Sequence, residues 1–139
     1  MSRVYKYNTY EEAMEVVKKY WWNLKYVRPD LQTPEMAMEA VKSGGWNLKY
    51  VRPDLQTPEM AMEAVGLNWF NFEFVRPDLI TPDMAMEAVK EWGFNLKYVR
   101  PDLQTQEVIE AALKQDPGAK QFIKVRGVFK NALEEALGE

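Results

Sequence analysis

The chain reads as an all-α protein, a right-handed α-α superhelix (α-solenoid) of about four 24-residue two-helix repeats with degenerate capping ends. Three features carry this reading. Landmark residues recur every 24 positions: Trp22, Trp46, Phe70 and Phe94; Pro29, Pro53, Pro77 and Pro101; Leu31, Leu55, Leu79 and Leu103. The stretch WNLKYVRPDLQTPEMAMEAV occupies 22–41 and again 46–65 without a change. Each unit holds two segments too short to be stable alone, so burial must come from stacking on neighbouring units.

The elements follow in order. Residues 1–21 form an N-terminal cap and partial repeat, in which TYEEAMEVVK (9–18) falls on TPEMAMEAVK (33–42). Four frames occupy 22–45, 46–69, 70–93 and 94–117. A C-terminal capping segment, 118–139, ends in VFKNALEEALGE, which reads as a helix closing the stack. The whole of 1–139 is expected to be one repeat domain. The near-identity of the first two frames fits a recent duplication or a consensus design, and the imperfect third frame and frayed ends favour a natural chain.

Within a frame, Thr33 is the N-cap of the longer helix, Pro34 takes its first position and Glu35 its first turn. EMAMEAVK then contains good helix formers, with Met36, Ala37, Ala40 and Val41 on one face. Position 36 becomes Glu12 in the first copy and position 38 becomes Glu110 in the last. That pattern suggests that the first position faces the previous repeat and the second the next. The shorter helix is expected to be capped by Asn23, stapled by Trp22 and Val27, and ended by Pro29. WFNFEF (69–74) alternates like a strand, but its register against WNLKYV makes it a helix or helical turn. Gly66, in place of Lys42, is expected to stop its helix sooner than the twin.

Composition excludes several chemistries. The chain has no cysteine and no histidine, which removes disulfides, thiol nucleophiles, the usual zinc ligands and the commonest general base. A net charge of −3 argues neither for nucleic acid nor for a membrane surface. No apolar run approaches the roughly 20 residues that span a bilayer, and the start lacks a secretory signal pattern. The expectation is a soluble, cytoplasmic protein with no membrane partner, no metal and no cofactor.

The unit NLKYVRPDLQTPEMAMEAVK, with its aromatic–Val step, Pro-Asp-Leu turn, Thr-Pro-Glu cap and Ala-Val helix end, resembles the tandem helical repeats called domain of unknown function 4116. The likeness covers roughly 9–117. The first copy departs from the motif at Tyr7 and Tyr10, and the last at Gln106. The resemblance implies an α-solenoid with an interaction role in a microbial or viral protein. It implies no catalytic residue.

Three groups of residues compete as the working surface. The first is an acidic ridge, including Glu35 and Glu39 one turn apart, which offers no cleft to split carboxylate pKa values and no calcium loop. A non-enzyme is therefore expected. The second is a basic ridge of Lys25, Arg28, Lys49, Arg52, Arg76, Lys97 and Arg100, the alternative anion or nucleic-acid site. Each of its arginines has an aspartate two residues on, which favours a solvated face of ion pairs and makes nucleic acid the lesser reading. The third is the set of irregular loops KKYW, KSGG, GLNW, KEWG and KQDP, carrying Tyr20, Trp21, Trp69 and Trp92. Variation along one edge of a uniform scaffold can build a partner-specific surface, and exposed aromatics suit binding hot spots. The same aromatics also fit packing, since Trp21 and Trp69 alternate with Gly45 and Gly93. Frame three adds Glu73 in the lysine series and Ile80 in the glutamine series. The expected function is binding another protein, as scaffold or stoichiometric inhibitor, through Tyr20, Trp21, Trp69, Glu73, Ile80 and Trp92.

Overall fold

Five ten-residue α-helices set the period in the computed structural model, which describes residues 5–125: α1 (Tyr10–Lys19), α2 (Pro34–Ser43), α3 (Pro58–Leu67), α4 (Pro82–Glu91) and α5 (Gln106–Gln115). All five begin as the sequence predicts. Thr9, Thr33, Thr57, Thr81 and Thr105 accept, through Oγ1, a backbone N–H three residues on, at 3.1 to 3.2 Å. Replacing Thr57 with Ala is expected to lower stability by about 1 kcal/mol, read as a shift in the urea midpoint at constant slope.

The shorter elements differ from expectation. Each repeat holds three helical pieces rather than two, and the short ones are 3-10 helices. Six-residue pieces run over Trp21–Tyr26, Gly45–Tyr50, Trp69–Phe74, Gly93–Tyr98 and Pro117–Phe122. Single turns at Pro29–Leu31, Pro53–Leu55, Pro77–Leu79 and Pro101–Leu103 replace the expected plain turn. WFNFEF is helical, as its register required. The asparagine series does not cap these pieces, whose N-caps are Tyr20, Gly44, Asn68, Trp92 and Asp116. Asn47, Asn71 and Asn95 are buried instead, and their Nδ2 groups donate to the carbonyls of Ala40, Ala64 and Ala88 at 2.9 to 3.0 Å. Those carbonyls sit in the last turn of the preceding α-helix and also accept the backbone N–H of Gly44, Asn68 and Trp92, so each asparagine uses the second lone pair of a helix-closing carbonyl.

Gly66 does not shorten α3. That helix has ten residues, like α2, and the Asn68 N–H closes it on the Ala64 carbonyl. Burial of Met60, Ala61, Ala64 and Val65 outweighs the roughly 1 kcal/mol that one glycine costs.

The chain divides into two compact units, Met1–Arg76 and Pro77–Glu139. In the first, α1 packs on α2 and α2 on α3, while the 3-10 pieces Trp21–Tyr26, Gly45–Tyr50 and Trp69–Phe74 stack beside them. Its core includes Ala37, Ala40, Val41, Leu48, Ala64, Val65 and Phe72. In the second, α4 packs on α5 and Gly93–Tyr98 on Pro117–Phe122, around Ala85, Ala88, Val89, Leu96, Ile109 and Ala112. The first methionine position is buried at Met36, Met60 and Met84. The second is buried at Met14, half-buried at Met38 and Met86, and exposed at Met62. The expected closing helix in 118–139 falls largely on residues 126–139, outside the described residues. Among the described residues, no helix is long and apolar enough to cross a membrane.

Candidate functional site

Three arginines of the series, Arg52, Arg76 and Arg100, join successive repeats. Arg52 Nε and Nη2 donate to the Asp54 carboxylate at 2.9 and 2.7 Å, while its Nη1 donates to the Pro29 carbonyl, 23 residues back, at 3.0 Å. Arg76 Nη1 reaches the Pro53 carbonyl at 2.5 Å, and Arg100 Nη1 reaches that of Pro77. Arg28 and Arg100 lie 3.2 and 2.9 Å from Asp30 and Asp102. The Arg52 hydrogen bond holds the Asp54 carboxyl below its usual range. Lys124 takes the arginine's place in the last copy, its Nζ donating to the carbonyls of Lys97 and Val99 at 2.8 and 2.9 Å. Desolvation of that tucked ammonium pushes it below the ordinary lysine value, although the residue as a whole is exposed. The lysines lie over tyrosine rings: Lys25 over Tyr26, Lys49 over Tyr50 and Lys97 over Tyr98, at 5.1 to 5.7 Å.

A second set of joints comes from glutamine. Gln32 Nε2 donates to the Tyr50 carbonyl at 2.7 Å while its Oε1 accepts the Arg52 N–H at 2.9 Å. Gln56 repeats this with Phe74 and Arg76, and Gln104 with Phe122 and Lys124. Ile80 stands in this series and is buried. Its side chain therefore serves packing and is closed to a partner.

The loop aromatics separate into exposed and packed. Tyr20 is exposed and its ring lies 5.1 Å from that of Trp22. The backbone of Trp21 opens a 3-10 helix, and its side chain lies outside the described part of the structure. Trp69 is half-buried with its ring 6.5 Å from Phe72, and Trp92 is half-buried and stacked on Phe94 at 5.8 Å. Phe94 in turn meets Phe122 edge-on at 5.3 Å. Glu73 is exposed on the 3-10 piece Trp69–Phe74. Tyr20 and Trp22 thus form one cluster, and Trp92, Phe94 and Phe122 another in the second unit.

The glycines that alternate with the tryptophans hold close approaches. A Cβ at Gly45 would collide with Asn71 Nδ2 and stand 2.8 Å from the Ala64 carbonyl oxygen. At Gly93 it would stand 2.5 Å from the Ala112 carbonyl oxygen. These positions let a 3-10 piece press on the α-helix of the next repeat.

The exposed side chains that sequence reasoning passed over are Trp22, Trp46 and Phe70, with Met62 and Leu67. The first three are the landmarks of the period itself. Periodic apolar residues normally mark a core, so the 24-residue step hid their exposure.

Helical repeats joined by Arg, Gln and Asn bonds across successive copies define an all-α helical-repeat protein. The profile of the family described as Domain of unknown function (DUF4116) matches residues 11–56 and again 33–80, together just over half of the 139 residues. The chain belongs to this family. No curated protein and no solved structure matches it.

Proposed function

We propose that the chain is a non-catalytic protein-binding module of the cytoplasm, a scaffold or stoichiometric inhibitor that acts by occupying a partner. The reading takes the repeats as turns of an α-solenoid, in which corresponding loops share one edge. One observation carries it. Large side chains stay exposed at the loop-bearing ends of the repeats (Tyr20, Trp22, Trp46, Leu67 and Phe70), on a scaffold whose Arg52 and Arg76 are engaged by its own carbonyls. Tyrosine and tryptophan are the residues that binding hot spots favour. The proposed surface is Tyr20, Trp69 and Glu73 in the first unit, and Trp92 is a separate candidate contact in the second. The same commitment of arginines and lysines weighs against phosphate or nucleic-acid binding, since a ridge already paired has little charge left to release counterions.

Affinity capture from the native host tests the reading, with wild type and Trp69→Ala compared. The expected result is a protein captured by wild type and lost from the variant, while far-UV circular dichroism stays unchanged. If Trp69→Ala melts the fold, Trp69 is a packing residue and the surface must be sought at Tyr20 and Phe70. Retention on immobilised DNA or RNA that weakens steeply with salt, with no protein captured, would overturn the reading.

A further inference from the structure

α2 and α3 share one sequence from their first proline to Ala-Val, and then part: α2 ends Lys42-Ser43 and α3 ends Gly66-Leu67. The change alters one surface. Pro58, Glu59, Met62, Glu63, Gly66 and Leu67 line an open groove along α3. Met62 is 53% exposed and Leu67 55%, against no more than 42% for the exposed tyrosines and tryptophans. Met38, the same residue in the twin helix, is half-buried. Glu59 and Glu63, both exposed, stand one turn apart beside this apolar pair. In α2 the second glutamate has Lys42 three residues on; in α3 that cation is gone, and the last turn carries no basic residue.

We propose that this groove seats a cationic amphipathic helix of a partner protein. Its apolar residues, one turn apart, would lie over Met62 and Leu67, and its lysines or arginines against Glu59 and Glu63. Gly66 leaves the approach open, because nothing lies within 4 Å of where its Cβ would stand. The ten residues of α3 extend about 15 Å, the length of roughly three turns of an incoming helix. Among the described residues, Arg52 and Arg76 are held by Asp54 and by carbonyls, and the sequence of 126–139 carries Glu134, Glu135 and Glu139 against Arg126 and Lys130, which favours a separate partner as the occupant. The inference rests on the protein-binding reading and adds the site and the partner's charge.

The test uses the full chain and two synthetic 14-residue amphipathic peptides with the same leucine face, one flanked by lysines and one by glutamates. Binding is read by fluorescence anisotropy of the labelled peptide. The lysine peptide is expected to bind at least about tenfold more tightly than the glutamate peptide, and less tightly as salt rises. The double variant Gly66→Lys, Leu67→Ser gives α3 the ending of α2, a sequence this fold already accommodates as helix, so loss of structure is not expected. It should lower affinity for the lysine peptide by about tenfold. Glu59→Gln with Glu63→Gln should remove most of the salt dependence.

Equal binding of the two peptides, or unchanged binding by the Gly66→Lys, Leu67→Ser variant, overturns the proposal. So does a wild-type dimer in sedimentation that the same variant dissolves, which would make the groove a self-association face. Parallel capture from the host separates this failure from that of the broader reading. A protein retained by the groove variant but lost from Trp69→Ala would leave the protein-binding reading standing without the groove. Capture by neither variant nor wild type would remove both.

Discussion

Gly45→Ala is expected to destabilise the protein by about 1–3 kcal/mol, whereas Gly66→Ala is expected to stabilise it by about 0.5–1 kcal/mol. The two glycines lie 21 residues apart and both follow an Ala-Val helix end, but they do opposite things. At Gly45 the added methyl meets the Ala64 carbonyl oxygen at 2.8 Å and the amide of Asn71. That amide cannot simply turn away, because Asn71 is buried and its Nδ2 already donates to the same Ala64 carbonyl at 2.9 Å. Relief requires moving the 3-10 piece Gly45–Tyr50 off α3, or breaking a buried hydrogen bond. Gly66 has no neighbour within 4 Å of the Cβ position and sits in the last turn of α3, where alanine costs less backbone entropy. Urea unfolding of the two single variants decides it. A Gly45→Ala midpoint equal to wild type would mean that the repeats are not pressed together at this point, and the packing account of the Trp/Gly alternation would fall with it.

The α-helices were legible because their signals are local. A threonine, a proline or other residue after it, and an Ala-Val or similar ending lie within ten residues of each other, and the caps form within the same turn. The short pieces were misread for the converse reason. Asn47 looks like a cap in its own segment, but its hydrogen-bond partner is Ala40, seven residues back in the preceding helix. Gln32 and Arg52 act across 18 to 23 residues, a distance at which residue type alone gives no direction. Repetition showed that these positions mattered without showing what they touch. The candidate surface was harder still. Tyr20 and the GLNW departure mark stretches that carry exposed side chains, yet exposure of Met62 but not Met38 separates two identical twenty-residue copies. No property of either copy could distinguish them; only the tertiary neighbours do.

Gln56→Ile is expected to cost about 1–3 kcal/mol, and the reciprocal Ile80→Gln less than about 1 kcal/mol in either direction. The side chains are similar in bulk, so the exchange isolates the two hydrogen bonds. In wild type, Gln56 Oε1 accepts the Arg76 N–H at 2.9 Å and its Nε2 donates to the Phe74 carbonyl at 3.1 Å. Isoleucine leaves both backbone groups without that partner at a buried position, and an unmet buried group costs more than its bond contributes when made. Frame three shows how the fold lives with isoleucine there. Arg100 Nη1 reaches the Pro77 carbonyl and also the Ile80 carbonyl, the latter at 3.0 Å, so the guanidinium takes on part of the stitching that the amide performs elsewhere. Arg76 Nη1 already reaches the Pro53 carbonyl, which ties the same two repeats without the amide and places the expected loss toward the lower half of the range. Ile80→Gln gains two candidate bonds but gives up apolar burial, and the two nearly cancel. The double variant Gln56→Ile, Arg76→Lys also weakens that second tie, because an ammonium lacks the planar fork that aims Nη1 at the Pro53 carbonyl. Its loss should exceed the sum of the single losses, measured by urea unfolding of all three. Strict additivity would show that glutamine and arginine secure the repeats independently rather than sharing one joint.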